Sequence, residues 1–201
     1  MSYEKLGTGA TTVGIRVKDA VILASEKRVS YGGFVMSKAG KKVYVFRNRY
    51  GIAFAGLFAD IQTLARVMNV QLHQYELENG RPLSVKGAAK LLSVILYQYK
   101  YFPFLSEVIV GGIDEDGAHM IVMDSLGSLI EDDYAAVGSG APIAIGIIES
   151  KYDKEMSLED AEALAVEAIR AAIKRDVASG DGIDVAVITP EGASEKTYPV
   201  A

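Results

Sequence analysis

The 201-residue chain has no cysteine and no tryptophan, only five prolines and only two histidines. Without cysteine it can form neither a disulfide nor a thiolate metal site, which fits a reducing compartment. His73 lies in a helix-patterned stretch and His119 in a strand-patterned one, too few and too scattered for a zinc site or an evident Ser-His-Asp triad. Long apolar runs are missing as well. The best, residues 141–148, stops at Glu149, well short of the roughly 18 residues of a spanning helix. The opening MSYEKLGTG has no apolar core of the kind a secretory signal carries. Basic residues number 21 against 26 acidic ones, for a net charge of -5, and they occur in small groups such as Lys41-Lys42 and Lys174-Arg175. Phosphate binding wants a clustered basic surface, so nucleic acid is not an expected partner. The expectation is a soluble, cytoplasmic, single-domain protein with no membrane partner, and a hydrophobic content of 50% is enough for a sizeable core.

What is present is a clear alternation of element types. Residues 11–17 (TTVGIRV) and 20–25 (AVILAS) read as β-branched and apolar strands joined by Lys18-Asp19. Residues 42–46 and 50–55 flank Arg47-Asn48-Arg49, a hairpin signal because Asn tolerates a positive φ. Helical period follows: Ile61, Leu64, Ala65, Met68, Leu72 and Tyr75 share a face that ends at Gly80 and Pro82, and a second stripe runs over residues 84–101. Strands return at 107–113 and 118–124 around Asp114-Glu115-Asp116-Gly117, where Asp-Gly is a strong hairpin signal. Calcium ligation by those acids is the more elaborate reading of a simple turn. Short strands are expected at 128–131 and 134–137, then a small helix at 143–152 and a longer one announced by Ser157 and Asp160, spaced as in a capping box. Residues 183–189 (IDVAVIT) form a last buried strand. Runs of each type, rather than strict alternation, argue for α+β: two antiparallel sheets packed together, with helices on their outer faces.

Around one stretch the rest is arranged: Gly7-Thr8-Gly9-Ala10 leading into the strand at Thr11. A glycine-rich lead feeding a buried strand puts a backbone position next to the interior, where cleavage could expose a new amino terminus at residue 10. That stretch, with Glu26-Lys27-Arg28-Val29, Gly40-Lys41-Lys42, Ala55-Gly56-Leu57, Gly138-Ser139-Gly140 and Arg175-Asp176-Val177-Ala178-Ser179-Gly180, resembles a proteasome β subunit of the archaeal type. The resemblance covers about residues 7–189. It implies an N-terminal-nucleophile hydrolase fold, a four-layer αββα sandwich, and a propeptide over residues 1–9 ahead of a domain over 10–201.

The resemblance also implies chemistry. Gly9 would be the last propeptide residue and position 10 the nucleophilic threonine, yet Ala10 stands there. Strand alternation puts Thr11 on the opposite face, so it does not substitute. Lys42 matches the lysine whose charge lowers the pKa of hydroxyl and amine, and Glu26 the acid that pairs with it. Gly56 matches the oxyanion N–H donor. Ser139, Asp176 and Ser179 match groups around the terminal amine and the attacking water, and Val29, Phe54 and Phe58 an apolar specificity pocket. Read without the family, Lys42 is a turn lysine, Glu26 a strand end, Gly56 a strand-to-helix junction, the serines caps, and the pocket residues core. With alanine at 10, cleavage and hydrolysis should both fail and the propeptide should stay attached. The reading preferred at this point is a threonine peptidase subunit with its threonine replaced; the alternative is a naturally silent subunit that shapes the chamber for active β subunits. Implied partners are α subunits, other β subunits in heptameric rings, an ATPase unfoldase and unfolded polypeptides, with no cofactor and no metal. Tyr97, Tyr99, Tyr101, Phe102 and Phe104 exceed what one buried stripe uses and are candidates for an interface or for a core corner after Pro103.

Overall fold

The computed structural model describes residues 9–200. The expected propeptide, apart from Gly9, therefore lies outside the described residues. β1 (Thr11–Val17) and β2 (Ala20–Glu26) form a tight hairpin at the centre of a five-stranded sheet with the order β10-β1-β2-β11-β12, where β10 is Tyr134–Gly138, β11 Ile183–Thr189 and β12 Gly192–Tyr198. The second five-stranded sheet has the order β5-β6-β7-β8-β9, built from Val43–Phe46, Tyr50–Gly56, Ser106–Asp114, Gly117–Met123 and Ile130–Glu131. All the pairings are antiparallel. A small ribbon of β3 (Val29–Tyr31) and β4 (Phe34–Ser37) stands apart from both.

Period-2 alternation explains how each sheet serves two cores. On β1, Val13, Ile15 and Val17 face α3 (Ala141–Lys151) and α4 (Leu158–Ile173), where they join Ala165, Ile169 and Ala172. The other faces of both sheets meet in a middle core of Ala10, Val21, Leu23, Ala53, Ile109, Met120 and Ile188. Glycines make this meeting close. A β-carbon on Gly14 would lie 2.6 Å from the Met120 sulfur, and one on Gly51 would lie 2.8 Å from both Ile188 and Leu23. The third core, with Ile52, Phe54, Leu64, Met68, Leu92 and Val110, lies under α1 (Phe58–Asn79) and α2 (Val85–Gln98). The layers are thus helices, sheet, sheet, helices, as the order of elements predicts.

The differences are local. Ser157 does cap α4, its Oγ accepting from the Asp160 N–H at 3.1 Å. The second helix is shorter than its stripe, ending at Gln98, and α3 starts at Ala141 because Gly140 with Pro142 sets its first turn. Three strands escape the sequence reading: β3, β4 and the edge strand β12. Among the described residues, no helix is long and apolar enough to cross a membrane.

Candidate active site

β1 delivers residue 10 to the space between the sheets. Ala10 is fully buried, and its methyl belongs to the middle core with Val43, Ala53 and Ala55. Thr11 points the other way. Its hydroxyl is 2.7 Å from Ser179 Oγ, and because Ser179 spends its own proton on Asp176 Oδ2 at 2.6 Å, Thr11 is the donor. Thr12 shares the face of Ala10 but donates to the Phe54 carbonyl at 2.8 Å and lies 2.8 Å from Ser25 Oγ. Both threonine hydroxyls are buried and committed, so neither is a free nucleophile.

The segment 176–180, just after α4, is the hub. Asp176 sits at a helix C-terminus, where the dipole disfavours an anion, and the partners that offset this are the hydroxyls of Ser139 (2.7 Å) and Ser179 and the Ala178 N–H (3.2 Å). Ser139 Oγ accepts from the Ala10 N–H at 3.1 Å and lies 3.2 Å from the Ala10 carbonyl. A hydroxyl has one proton to give, and the shorter contact to a carboxylate takes it. Ser139 is therefore no helix cap; the N-cap of α3 is Gly140 and makes no side-chain bond. Gly180 N–H donates to Glu26 Oε2 at 3.0 Å, the Arg28 N–H donates to the same oxygen at 2.7 Å, and Lys42 Nζ donates to Oε1 and to the Arg28 carbonyl at 2.6 Å. Two hydrogen-bonded sets, one from the Ala10 nitrogen to Ser179 and one from the Gly180 N–H to the Lys42 ammonium, are thus joined by the Ser179–Gly180 peptide bond.

Glu26 is completely buried and Lys42 is 2% exposed. Burial pushes the Glu26 carboxyl up, against the pull of Lys42; it pushes the Lys42 ammonium down, against the pull of Glu26 and, further off, of Asp176. Lys42 is no solvated turn lysine. Gly56 ends β6 at φ +136 and faces Ser106 of β7, a conformation natural only to glycine. Gly138 lies against both the Ala10 carbonyl and Ala55, the neighbour of Gly56; a β-carbon on it would come within 2.9 Å of the Ala55 methyl.

The pocket residues are only partly brought together. Val29 and Phe58 meet over Gly40, where a β-carbon would touch both. Phe54 does not join them in an open cleft. It is 0% exposed in the core under α1 and α2, with Tyr44 edge-on at 6.0 Å, because even positions of β6 face the helices. It is a floor at most. Sequence reasoning missed Arg28 altogether. Its Nε donates to Asp181 at 2.8 Å and an NH donates to the Val177 carbonyl at 2.9 Å, clamping both ends of the hub segment. Long-range pairs of this kind leave no periodic signal.

A profile described as Proteasome subunit matches residues 6–188. The chain belongs to the proteasome subunit family. It is 58% identical over 197 residues, 98% of this chain and 96% of the relative, to a protein named Proteasome subunit beta 1 from Hyperthermus butylicus. Proteins named Proteasome subunit beta 2 from Thermofilum pendens and Pyrobaculum calidifontis are each 54% identical, over 95% and 96% of this chain and 94% and 95% of theirs. Within the proteasome family these relatives are archaeal β subunits, and the described architecture is that of the family's αββα sandwich.

Proposed function

We propose that this chain is a β subunit of the proteasome core particle whose own peptidase site is silent, built in every part except the nucleophile. One observation carries the reading: the Ser139–Asp176–Ser179 cluster is hydrogen-bonded to the backbone of residue 10, the buried Lys42–Glu26 pair adjoins that cluster through the Gly180 N–H, and residue 10 brings a methyl group in place of a hydroxyl. In a threonine peptidase the hydroxyl of residue 10 attacks the carbonyl carbon of residue 9, the acyl group shifts from nitrogen to oxygen, and water releases the propeptide and a free α-amine. That amine then takes the hydroxyl proton during attack on substrate, with Lys42 lowering the pKa of both groups and the Gly56 N–H receiving the oxyanion. Ala10 removes both steps at once. Assembly with α subunits and other β subunits in heptameric rings, an ATPase that feeds unfolded polypeptide, and a cytoplasmic location belong to the same reading, and Tyr97, Tyr101 and Phe102, exposed at the α2–β7 connection, fit a subunit contact.

Two origins of Ala10 remain: a replaced threonine, or the natural residue of a structural subunit. The names beta 1 and beta 2 tell one β subunit from another, which favours the natural reading. The genomic codon at position 10 distinguishes them. The functional test is Ala10→Thr, assembled with α subunits and assayed by intact mass and a fluorogenic peptide with an apolar residue before the cut. Loss of residues 1–9 and new hydrolysis are expected, and Lys42→Ala on that background should cost about 10²- to 10⁴-fold. Hydrolysis by the unchanged chain, or an assembled Ala10→Thr particle that keeps its full mass, overturns the proposal.

A further inference from the structure

We propose that the tip of the β7–β8 hairpin binds one divalent transition-metal cation, through His119 Nε2 and the carboxylates of Asp114 and Asp116. The register places the parts. Asp114 pairs with Gly117 and Gly112 with His119, so Asp114 and His119 are diagonal neighbours on one face and each has a glycine opposite it. No side chain from the partner strand fills the space between them. Ile121 pairs with Glu131, which puts Glu131 on that face too, next to His119. One ligand atom each from Asp114, Asp116 and His119 lies within 4.8 Å of the others.

The second observation is the imidazole. The His119 side chain is 9% exposed and that of Asp114 7%. His119 Nδ1 is 2.9 Å from Glu131 Oε1, and Glu131 is held from its other sides by Lys86 at 2.9 Å and Arg16 at 3.4 Å. A carboxylate can only accept, so Nδ1 carries a proton and Nε2, where a neutral imidazole has its lone pair, is the ring atom left to face the other carboxylates. Nε2 is buried with no hydrogen bond; Asp114 Oδ1 is 3.4 Å away, outside hydrogen-bonding geometry. A lone pair turned in burial toward two carboxylates is repulsive until a cation sits among them. Glu131 then orients the imidazole from behind, the carboxylate–histidine–metal arrangement.

The donor set selects the cation. One imidazole and two carboxylates suit zinc or manganese, whereas calcium and magnesium take oxygen cages. The calcium reading of Asp114-Glu115-Asp116 fails on the same ground, since Glu115 is outside the set and His119 is inside it. Asp116 is exposed at the hairpin tip, so a cation has a way in from that side. Asp114 Oδ2 accepts from the Val85 N–H at 2.7 Å, so the bound cation would tie the hairpin tip to the first turn of α2.

The experiment uses the full chain stripped with EDTA and titrated with zinc chloride in a calorimeter, with magnesium chloride as the control. Saturable 1:1 zinc binding is expected, with a rise in melting temperature. His119→Gln and Asp116→Asn should each weaken it at least about tenfold, and Glu131→Gln by about 10- to 100-fold. Asp116 is exposed, so that variant keeps the fold, and His73→Ala on the outer face of α1 should change nothing. Absence of saturable zinc binding, equal affinity for magnesium, or binding indifferent to His119→Gln and Asp116→Asn overturns the site.

Discussion

The Glu26–Lys42 pair offers the sharpest test of what the interior is arranged for. Both side chains are out of water, Glu26 accepts from three N–H donors, and Lys42 makes its two bonds inward. Removing one partner strands the other's charge. Lys42→Met or Glu26→Gln alone should therefore cost about 3–5 kcal/mol, toward the lower end if the stranded group neutralises itself. The double variant leaves no buried ion. The amide oxygen that replaces Glu26 Oε2 would still accept from the Arg28 and Gly180 N–H groups, while the new amide NH2 and the Arg28 carbonyl both lose Lys42 as a partner and can only pair imperfectly with each other, at about 1–3 kcal/mol. The double variant should thus be more stable than either single one. Urea unfolding of the full chain measures this, with an unchanged denaturant slope as evidence that the same transition is compared. Costs that simply add, or single variants that lose less than about 1 kcal/mol, would refute the reasoning. The expected pattern means that an uncharged pair would hold the fold nearly as well, so the charges are not there for stability. The proposed function gives them a use, in which the Lys42 cation acts on a nucleophile at residue 10.

Gly56→Ala should cost about 1–3 kcal/mol from its backbone conformation alone; its β-carbon would also come within 2.8 Å of Ser106 Cα, so thermal unfolding should show a larger loss than an ordinary glycine-to-alanine change. Asp133 is held below the ordinary aspartate range by its hydrogen bond to Arg16. Its stabilisation is therefore complete above the unfolded value of about 3.9 and is lost as pH falls through the lower folded value, so the melting-temperature gap between wild type and Asp133→Asn should be constant from about pH 6 to 5 and close below about 3.9. Phe102 is 87% exposed, so Phe102→Ser should change the stability of the isolated chain by no more than about 0.5 kcal/mol while weakening assembly with partner subunits in gel filtration.

The sequence carried the fold where burial imposes a period. β1 and β2 are buried along almost their whole length and read as strands; α4 shows its cap and its stripe. β12 is the opposite case. It pairs with β11 along seven residues, but its side chains (GASEKTY) are mostly exposed at a sheet edge, so no apolar alternation marks it. The β3–β4 ribbon had its signal in Gly32-Gly33, both at positive φ, a hairpin dipeptide that composition hides among 20 glycines. For the site, alternation alone separated Thr11 from residue 10, and the structure bears that out. The Ser139–Asp176 bond and the clamp by Arg28 join residues more than 30 positions apart, and no local pattern contains them. Phe54 lies where its residue-level reading put it, in core, and its neighbours in sequence do not say which of two cores an even position on β6 will face.

The state of the Ala10 nitrogen decides whether the proposed silent site is a stalled intermediate or a finished structure. Joined to Gly9, that nitrogen is an amide with one proton, and Ser139 Oγ accepts it while giving its own proton to Asp176. Ser179 relays the Thr11 hydroxyl to the same carboxylate. Every donor in this cluster has an acceptor before any bond is cut. A free terminal amine would bring further protons to the same position and would need acceptors beyond Ser139. The uncleaved backbone therefore satisfies the cluster on its own, and buried polar groups left without partners are what would make such a site unstable. An uncleaved peptide at residue 10 thus leaves this cluster with no unpaired donor, as the proposed silent site requires.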